Sequence, residues 1–170
     1  MSLRPVLVAG LLALALPGAP AMAARPDPAA ERFAEMQQLV GSWRVAGKPG
    51  SPLRIRFALT AGGTVLVESW SRGDQPHSLT LYHRDAATIV ATHYCPQGNQ
   101  PRLTSTPKAS DGALRFAFKD ATDLDPARES YLVALSFDWS RKGVLVRRET
   151  YRQRGGEEPS ELILEREPPP

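Results

Sequence analysis

Apolar and polar residues alternate with a period of two along most of the chain from Ser42 onward, which is the pattern of β-strands with one solvated face. Segments 53–59 and 113–119 show it most clearly, since Leu, Ile or Phe occupies every second position and Arg, Lys or Ala lies between. The same pattern covers 41–47, 64–70, 78–83, 88–94, 101–105, 130–139, 143–152 and 161–166. Turn-forming stretches such as "AGG", "SDG" and "SRKG" separate these segments. The pattern therefore predicts about ten short strands joined by tight turns as a meander.

A different period precedes the strands. Phe33, Met36, Leu39 and Val40 recur at steps of three and four residues, with charged and amide side chains between them. This spacing predicts one amphipathic helix within 29–41, which Gly41 closes.

The predicted meander has two exposed edges unless its first and last strands pair. Closure into a barrel removes both edges. The sequence therefore predicts an all-β fold, a closed up-and-down antiparallel β-barrel of about ten strands, with the short N-terminal helix capping one end. A barrel of this size either fills with side chains or holds one small ligand.

The first 23 residues have the pattern of a signal peptide. Arg4 precedes an apolar run over 6–16, Pro17 and Gly18 break the run, and "AMA" at 21–23 offers a small-x-small cleavage site. Eleven apolar residues are about half of what a bilayer core requires. We therefore expect a periplasmic or secreted protein without a stable membrane anchor after leader removal. The predicted organisation is a signal peptide at 1–23, a lead-in and capping helix at 24–40, the barrel at 41–167 and a Pro tail at 168–170.

Charge and cysteine content narrow the classes of partner. Loss of the leader removes only Arg4 from 21 basic side chains, which leaves 20 against 18 acidic ones and a net charge of +2. The basic residues are spread among apolar and acidic ones, so we expect no nucleic-acid partner. The single cysteine, Cys95, cannot form an intramolecular disulfide and most often would be a small buried hydrophobe. We expect a monomer or a weak dimer.

The segment 92–102, "THYCPQGNQPR", concentrates residues that carry chemistry. Its two Pro and one Gly suit a fixed turn, with Asn99 and Gln100 bonding the backbone groups that such a turn leaves unpaired. The alternative is a polar cluster that contacts a ligand, in which Arg102 pairs with Glu68 or closes on His93 and Tyr94. Both interpretations stay open on the sequence.

A metal or haem site would draw on His77, His83 and His93. A two-residue loop between the strands at 78–83 and 88–94 would place His83 and His93 on opposite faces, whereas a three-residue loop with a bulge would place them together. The chain has no G-x-S-x-G, H-E-x-x-H or phosphate-binding glycine motif. The sequence therefore predicts no metal and no cofactor, and favours a binding protein over an enzyme.

The predicted function is that of an exported barrel holding a small apolar or amphiphilic molecule. Two alternatives are a metal- or thiol-dependent enzyme around His83, His93 and Cys95, and a filled structural or partner-binding barrel. The expected apolar lining is Leu79, Leu81, Leu114, Phe116, Phe118, Val133, Leu135, Phe137 and Trp139. The candidate ligand-binding polar residues are Glu68, His83, His93, Tyr94, Asn99, Gln100 and Arg102.

Two motifs resemble known families. "GSW" at 41–43, after a short helix, resembles the G-x-W signature of calycins, the superfamily of lipocalins, fatty-acid-binding proteins and nitrobindin-like domains. The resemblance implies structural roles for Gly41 and Trp43, with Trp43 closing the base of the barrel and Arg166 of the last strand packing over it. "LYHRD" at 81–85, "THYCPQGNQPR" and "FAFKDATDLDP" at 116–126 resemble a narrower family of exported bacterial calycin-like domains.

The chain also departs from these relatives. Fatty-acid-binding proteins hold a carboxylate with an R-x-Y pair, whereas Arg148 and Tyr151 are three positions apart. Nitrobindin-like haem binding needs a late inward His, and no His follows His93. The resemblance therefore implies neither a fatty-acid pocket of that design nor that haem site.

Overall fold

The predicted barrel is confirmed: in a computed structural model that describes residues 27–168, ten antiparallel strands close on themselves. The strands are β1 Gly41–Val45, β2 Leu53–Thr60, β3 Val65–Arg72, β4 Gln75–Asp85, β5 Thr88–Tyr94, β6 Gln100–Ser105, β7 Leu114–Thr122, β8 Tyr131–Asp138, β9 Val144–Gln153 and β10 Gly156–Arg166. The predicted signal peptide at 1–23 and the last two residues of the Pro tail lie outside the described residues. Within residues 27–168, no helix is long and apolar enough to cross a membrane.

Each strand pairs with its neighbours in the chain, and the pairing of β1 with β10 closes the barrel. That seam joins Trp43 to Arg166 and Val45 to Leu164. Because every described strand has a partner on both sides, the meander keeps no free edge.

One helix, α1 Pro28–Met36, precedes the barrel and continues as a 3-10 turn at Gln37–Leu39. The Asp27 carboxylate caps it, accepting from the Ala29 N–H at 3.0 Å and the Ala30 N–H at 3.1 Å. Phe33 and Met36 are buried in the barrel core, so α1 covers the end at which β1 begins, called here the closed end. The helical segment ends at Leu39 with Val40 as its C-cap, so Gly41 directly follows the cap, as predicted, and begins β1.

A Trp–Arg contact fastens the closed end. The Trp43 indole N–H donates to the Leu39 carbonyl at 2.8 Å, and the Arg166 guanidinium lies 4.5 Å from the indole centroid. The same guanidinium donates to the carbonyls of Val40 and Gln38, each at 2.6 Å. The contact that the G-x-W resemblance implies between Trp43 and Arg166 is thus present, and it joins both ends of the sheet to the 3-10 turn.

Gly41 is required at this point for two reasons. Its φ of +129° is one that side-chain-bearing residues rarely adopt. A Cβ at this position would also lie 2.5 Å from Nη1 of Arg166. A larger residue would therefore strain the backbone and displace the guanidinium from Trp43.

The interior above the closed end is filled by aromatic and aliphatic side chains. Phe57, Tyr82, Phe116 and Phe137 form tilted or edge-on pairs with ring centroids 5.6 to 6.4 Å apart. The connections 46–52, 73–74, 95–99, 123–130 and 154–155 all lie at the other end, because successive connections of a meander alternate between ends. This second end is called the open end.

Candidate binding site at the open end of the barrel

The register of β3, β4 and β5 decides which polar residues enter the barrel. Glu68 pairs with Thr80 and Thr80 with His93, and all three are buried on the inner face. The neighbouring row, which includes Leu81, faces outward. Leu79 and Leu81 therefore do not line the interior as expected, and Thr80 and Tyr82 take their place.

His83 and His93 point to opposite faces, as a two-residue loop requires. Asp85 pairs with Thr88, so the β4–β5 loop has two residues, and His83 lies on the outer face beside Val90. Among residues 27–168, no three His, Cys, Asp or Glu side chains are grouped so that they could hold a metal ion.

An ionic network that the sequence interpretation missed lies in the middle of the barrel. Glu68 accepts from the Trp70 indole N–H at 2.6 Å, from Nε of Arg147 at 2.8 Å and from the Tyr82 hydroxyl. Arg147 also donates from Nη1 to Glu149 at 2.5 Å, and its guanidinium lies 4.6 Å from the centroid of a Trp70 ring. We call these five residues the interior ionic network.

Burial and the neighbouring charges together set the protonation states of Arg147 and Tyr82. Burial alone would lower the pKa of Arg147, but the carboxylates of Glu68 and Glu149 outweigh that effect and raise it. Burial, and then the charge of Glu68, raises the pKa of the Tyr82 hydroxyl. Arg147 is thus a cation and Tyr82 a neutral donor at every physiological pH.

His93 connects the network to the open end. Its Nδ1 lies 2.9 Å from the Thr80 hydroxyl and its Nε2 lies 3.2 Å from the Tyr151 hydroxyl. Burial, and then the positive charge of Arg147, lowers the pKa of His93 to about 4, so the ring is neutral at pH 7. Burial, and then Glu149, raises the pKa of Tyr151.

The geometry gives little support to a thiol dyad of Cys95 and His93. Both ring nitrogens of His93 already have hydroxyl partners. Burial raises the pKa of the Cys95 thiol, which disfavours the nucleophilic thiolate.

The "CPQGN" turn joins two connections at the open end. Asn99 is buried, and its amide donates to a Glu129 carboxylate oxygen at 3.2 Å and to the Ser130 carbonyl at 3.1 Å. The Gln97 side chain accepts from the Ser130 N–H at 3.1 Å. These bonds hold the turn against the β7–β8 connection. This is the structural role expected of a fixed turn, and we call residues 95–99 the structural corner.

The remaining candidates lie away from the interior. Arg102 forms a two-pronged ion pair with Asp120 on the outer face, at 2.6 Å for each bond, and does not reach Glu68. Tyr94 is 43% exposed. Gln100 is half-buried and accepts from the Thr122 hydroxyl. Of the seven polar candidates, the structure brings Glu68 and His93 together inside the barrel and places Asn99 at its open end.

A cavity opens above the interior ionic network. It has a volume of about 580 Å³ and is lined by Gln97, Ser130, Tyr151, Glu157, Glu158, Pro159 and Ser160. Val45, Trp70 and Leu162 also face inward near this end, and they are only partly buried where they pack against the core. A second pocket of about 500 Å³ along β7 to β10 is lined by surface residues such as the paired Arg148 and Glu161, and also by Glu149 and Ser160. The open-end cavity is the better candidate, because Tyr151 in its wall bonds the buried His93 and Ser160 in its wall contacts Glu149.

Comparison with known proteins does not indicate a function for this site. No protein-family model matches the chain, and no curated protein matches its sequence. The site is therefore interpreted from its own contacts, burial and charges.

Proposed function

We propose that the protein is an exported, calycin-like barrel that binds one small amphiphilic molecule at its open end. The observation that carries this proposal is the uneven burial of inward-facing side chains. Apart from Trp139, the core residues near the closed end are fully buried, whereas Val45, Trp70, Tyr151 and Leu162 keep access to solvent although they face inward. Inward-facing side chains with solvent access mark the upper part of the barrel as the place where a ligand would fit.

The same residues support an amphiphilic ligand over a purely apolar one. Val45, Trp70 and Leu162, from β1, β3 and β10, supply apolar surface in the adjoining barrel interior, while the wall of the cavity itself is polar apart from Pro159 and the ring of Tyr151. Tyr151 and Ser160 supply hydroxyl groups beside the interior ionic network. Apolar walls with a few placed polar groups are the usual composition of small-molecule sites, and about 580 Å³ lies within the usual range of their volumes.

Calycin-like character and export rest on separate support. The Trp43–Arg166 contact at the closed end agrees with the G-x-W resemblance. Export rests on the leader pattern at 1–23 alone. Cell fractionation with mass determination of the mature N-terminus would test export directly.

Binding is tested with Nile red, a neutral dye that becomes fluorescent in apolar surroundings, on protein purified after expression of the full chain. Ser160 faces inward yet is exposed, so Ser160→Trp fills the cavity without disturbing the core. The matched control is Ile163→Trp, at an outward position of the same strand that is 42% exposed. We expect saturable 1:1 binding that Ser160→Trp weakens at least tenfold and Ile163→Trp leaves unchanged. Absence of saturable binding to the wild-type protein, with no organic molecule co-purifying in native mass spectrometry, would favour the filled barrel instead.

A further inference from the structure

We propose that the open-end site selects ligands with a positively charged head group, such as a primary ammonium, and that Glu149 is the residue that recognises it. This inference rests on the proposed binding function. It concerns the charge of the ligand, which the shape of the barrel alone does not decide.

The first support is the charge balance of the interior ionic network. Two carboxylates, Glu68 and Glu149, face a single guanidinium, that of Arg147. Arg147 and Glu68 are fully buried, whereas the Glu149 side chain keeps 18% of its surface exposed. The excess negative charge therefore lies at the partly exposed edge of the network, at Glu149, whose Oε1 is 3.5 Å from the hydroxyl of Ser160 in the cavity wall.

The second support is the hydrogen-bond pattern of the two carboxylates. Glu68 accepts three strong bonds through its two oxygens, from Trp70, Tyr82 and Arg147. Glu149 uses Oε2 for Arg147, while Oε1 has only the Ser160 hydroxyl at 3.5 Å, the outer limit of a hydrogen bond. Glu149 Oε1 thus retains the capacity to accept from a charged donor that enters beside Ser160.

The third support comes from the cavity wall and from Asn99. Among the described residues that line the cavity, Glu157 and Glu158 are charged and no Lys or Arg is present. Asn99 Oδ1 is buried without a hydrogen-bond partner among the described residues, while the same amide donates to Ser130 of the cavity wall. Glu157 already accepts from Arg152, and Glu158 accepts from the Gln153 amide. The acceptor left without a donor is therefore Asn99 Oδ1, and an unsatisfied buried acceptor favours a donor-bearing ligand.

Arg72 is the charge that opposes this preference. The register pairs it with Leu53, so it lies toward the inner face at the end of β3. Its side chain is exposed, and solvent and salt screen an exposed charge more strongly than a buried one. We therefore expect Glu149, which lies deeper, to dominate selection.

Three probes with the same alkyl chain separate charge from shape: octylammonium, octan-1-ol and octanoate, each competing with Nile red at pH 7 and low salt. We expect octylammonium to compete at about tenfold or more lower concentration than octanol, with octanoate weakest, because a hydrogen bond to a charged group gains about one to two powers of ten. The preference for octylammonium over octanol should shrink in 0.5 M NaCl, where the screening length is only about 4 Å. Equal competition by all three probes, preference for octanoate, or failure of all three to displace the dye would overturn the charge inference while leaving the binding function intact. Absence of saturable Nile red binding would refute both.

Glu149→Gln tests the assigned residue, and Glu161→Gln on the outward face of β10 is its control. Glu149→Gln should lower octylammonium affinity about tenfold, to the level of octanol, and leave octanol affinity unchanged. Unchanged octanol affinity also shows that the variant is folded. An octylammonium preference that survives in Glu149→Gln contradicts the assignment. If Glu149→Gln does not fold, Ser160→Asp is the alternative variant, because it adds a carboxylate beside Glu149 Oε1. It should increase the preference for octylammonium over octanol, and a decrease refutes the assignment.

Discussion

Arg147 shows how one residue can organise the interior of a barrel. A buried guanidinium is costly unless acceptors compensate it, and here Glu68, Glu149 and the face of Trp70 do so. Because Glu68 and Trp70 lie on β3, Tyr82 on β4, and Arg147 and Glu149 on β9, the network connects three strands across the lumen. The same charged groups lie next to the cavity, so a wholly apolar ligand would make no polar contact with them. At the scale of single residues, the packing of the interior and the proposed ligand preference therefore share one cause.

His93 makes stability depend on pH, with a sign set by its lowered pKa. The folded-state pKa is about 4 against an ordinary value of 6.5, so between these values the unfolded chain binds a proton that the folded protein does not. Stability contributed by His93 is thus present at pH 7 and is lost as pH falls. We expect the free energy of unfolding to decrease by about 2 kcal/mol more between pH 7 and pH 5 in the wild type than in His93→Gln. Urea denaturation at both pH values measures the difference, and parallel losses in the two proteins would contradict the assignment.

The hairpins show which features alternation can predict. All ten strands follow from it, because each has at least one face with an apolar signature and turn residues at its ends. For β4 the alternation predicts the wrong inner face, because Leu79 and Leu81 fit the period of two as well as Thr80 and Tyr82 do. Only the pairing of Thr80 with Glu68 decides which of the two rows faces the interior. The polar first half of β10 carries no apolar alternation, so its start at Gly156 was missed.

The candidate site was less predictable than the fold for a related reason. Arg147, Arg148 and Glu149 are consecutive charged residues, and period two then gives no sign of which face is buried. The preceding Val144, Leu145 and Val146 are all apolar, so they also do not show which face is buried, and only the pairing of Leu145 with Leu164 places position 147 inside. The concentration of polar residues in 92–102 instead favours Tyr94 and Arg102 as site residues, but both lie on the outer surface.

The contribution of Asn99 to stability tests whether residues 95–99 act as a structural corner between two connections. Asn99→Ala removes donors from the Glu129 carboxylate and the Ser130 carbonyl, so we expect the free energy of unfolding to fall by about 2 kcal/mol. Gln100→Ala, which removes more exposed bonds at the next position, should cost less than about 1 kcal/mol. Hydrogen exchange should quicken in 123–130 in the first variant alone. Equal behaviour of the two variants would argue against a structural corner.

The whole barrel depends on a short seam. β1 has five residues, and its pairing with β10 covers Trp43 to Val45, whereas β9 and β10 pair over most of their length. Closure therefore requires support beyond the sheet. Arg166 supplies it by stacking on Trp43 and bonding the carbonyls of Gln38 and Val40, so that the helix, the first strand and the last strand are held together.

Arg166→Lys tests this support with the positive charge retained. A lysine has no planar fork to bond two carbonyls while it stacks on Trp43, so we expect a loss of about 1–2 kcal/mol and faster hydrogen exchange in β1 and β10. Arg44→Lys is the control, because Arg44 lies on the same seam but faces outward in an exposed pair with Glu165, where the change should cost less than about 0.5 kcal/mol. Urea denaturation measures both values. Opening of the seam would expose the edges of β1 and β10 at once, so Arg166→Lys should also aggregate at lower temperature than Arg44→Lys. Equal stability and aggregation of the two variants would show that β1 and β10 hold together without the Trp43–Arg166 contact.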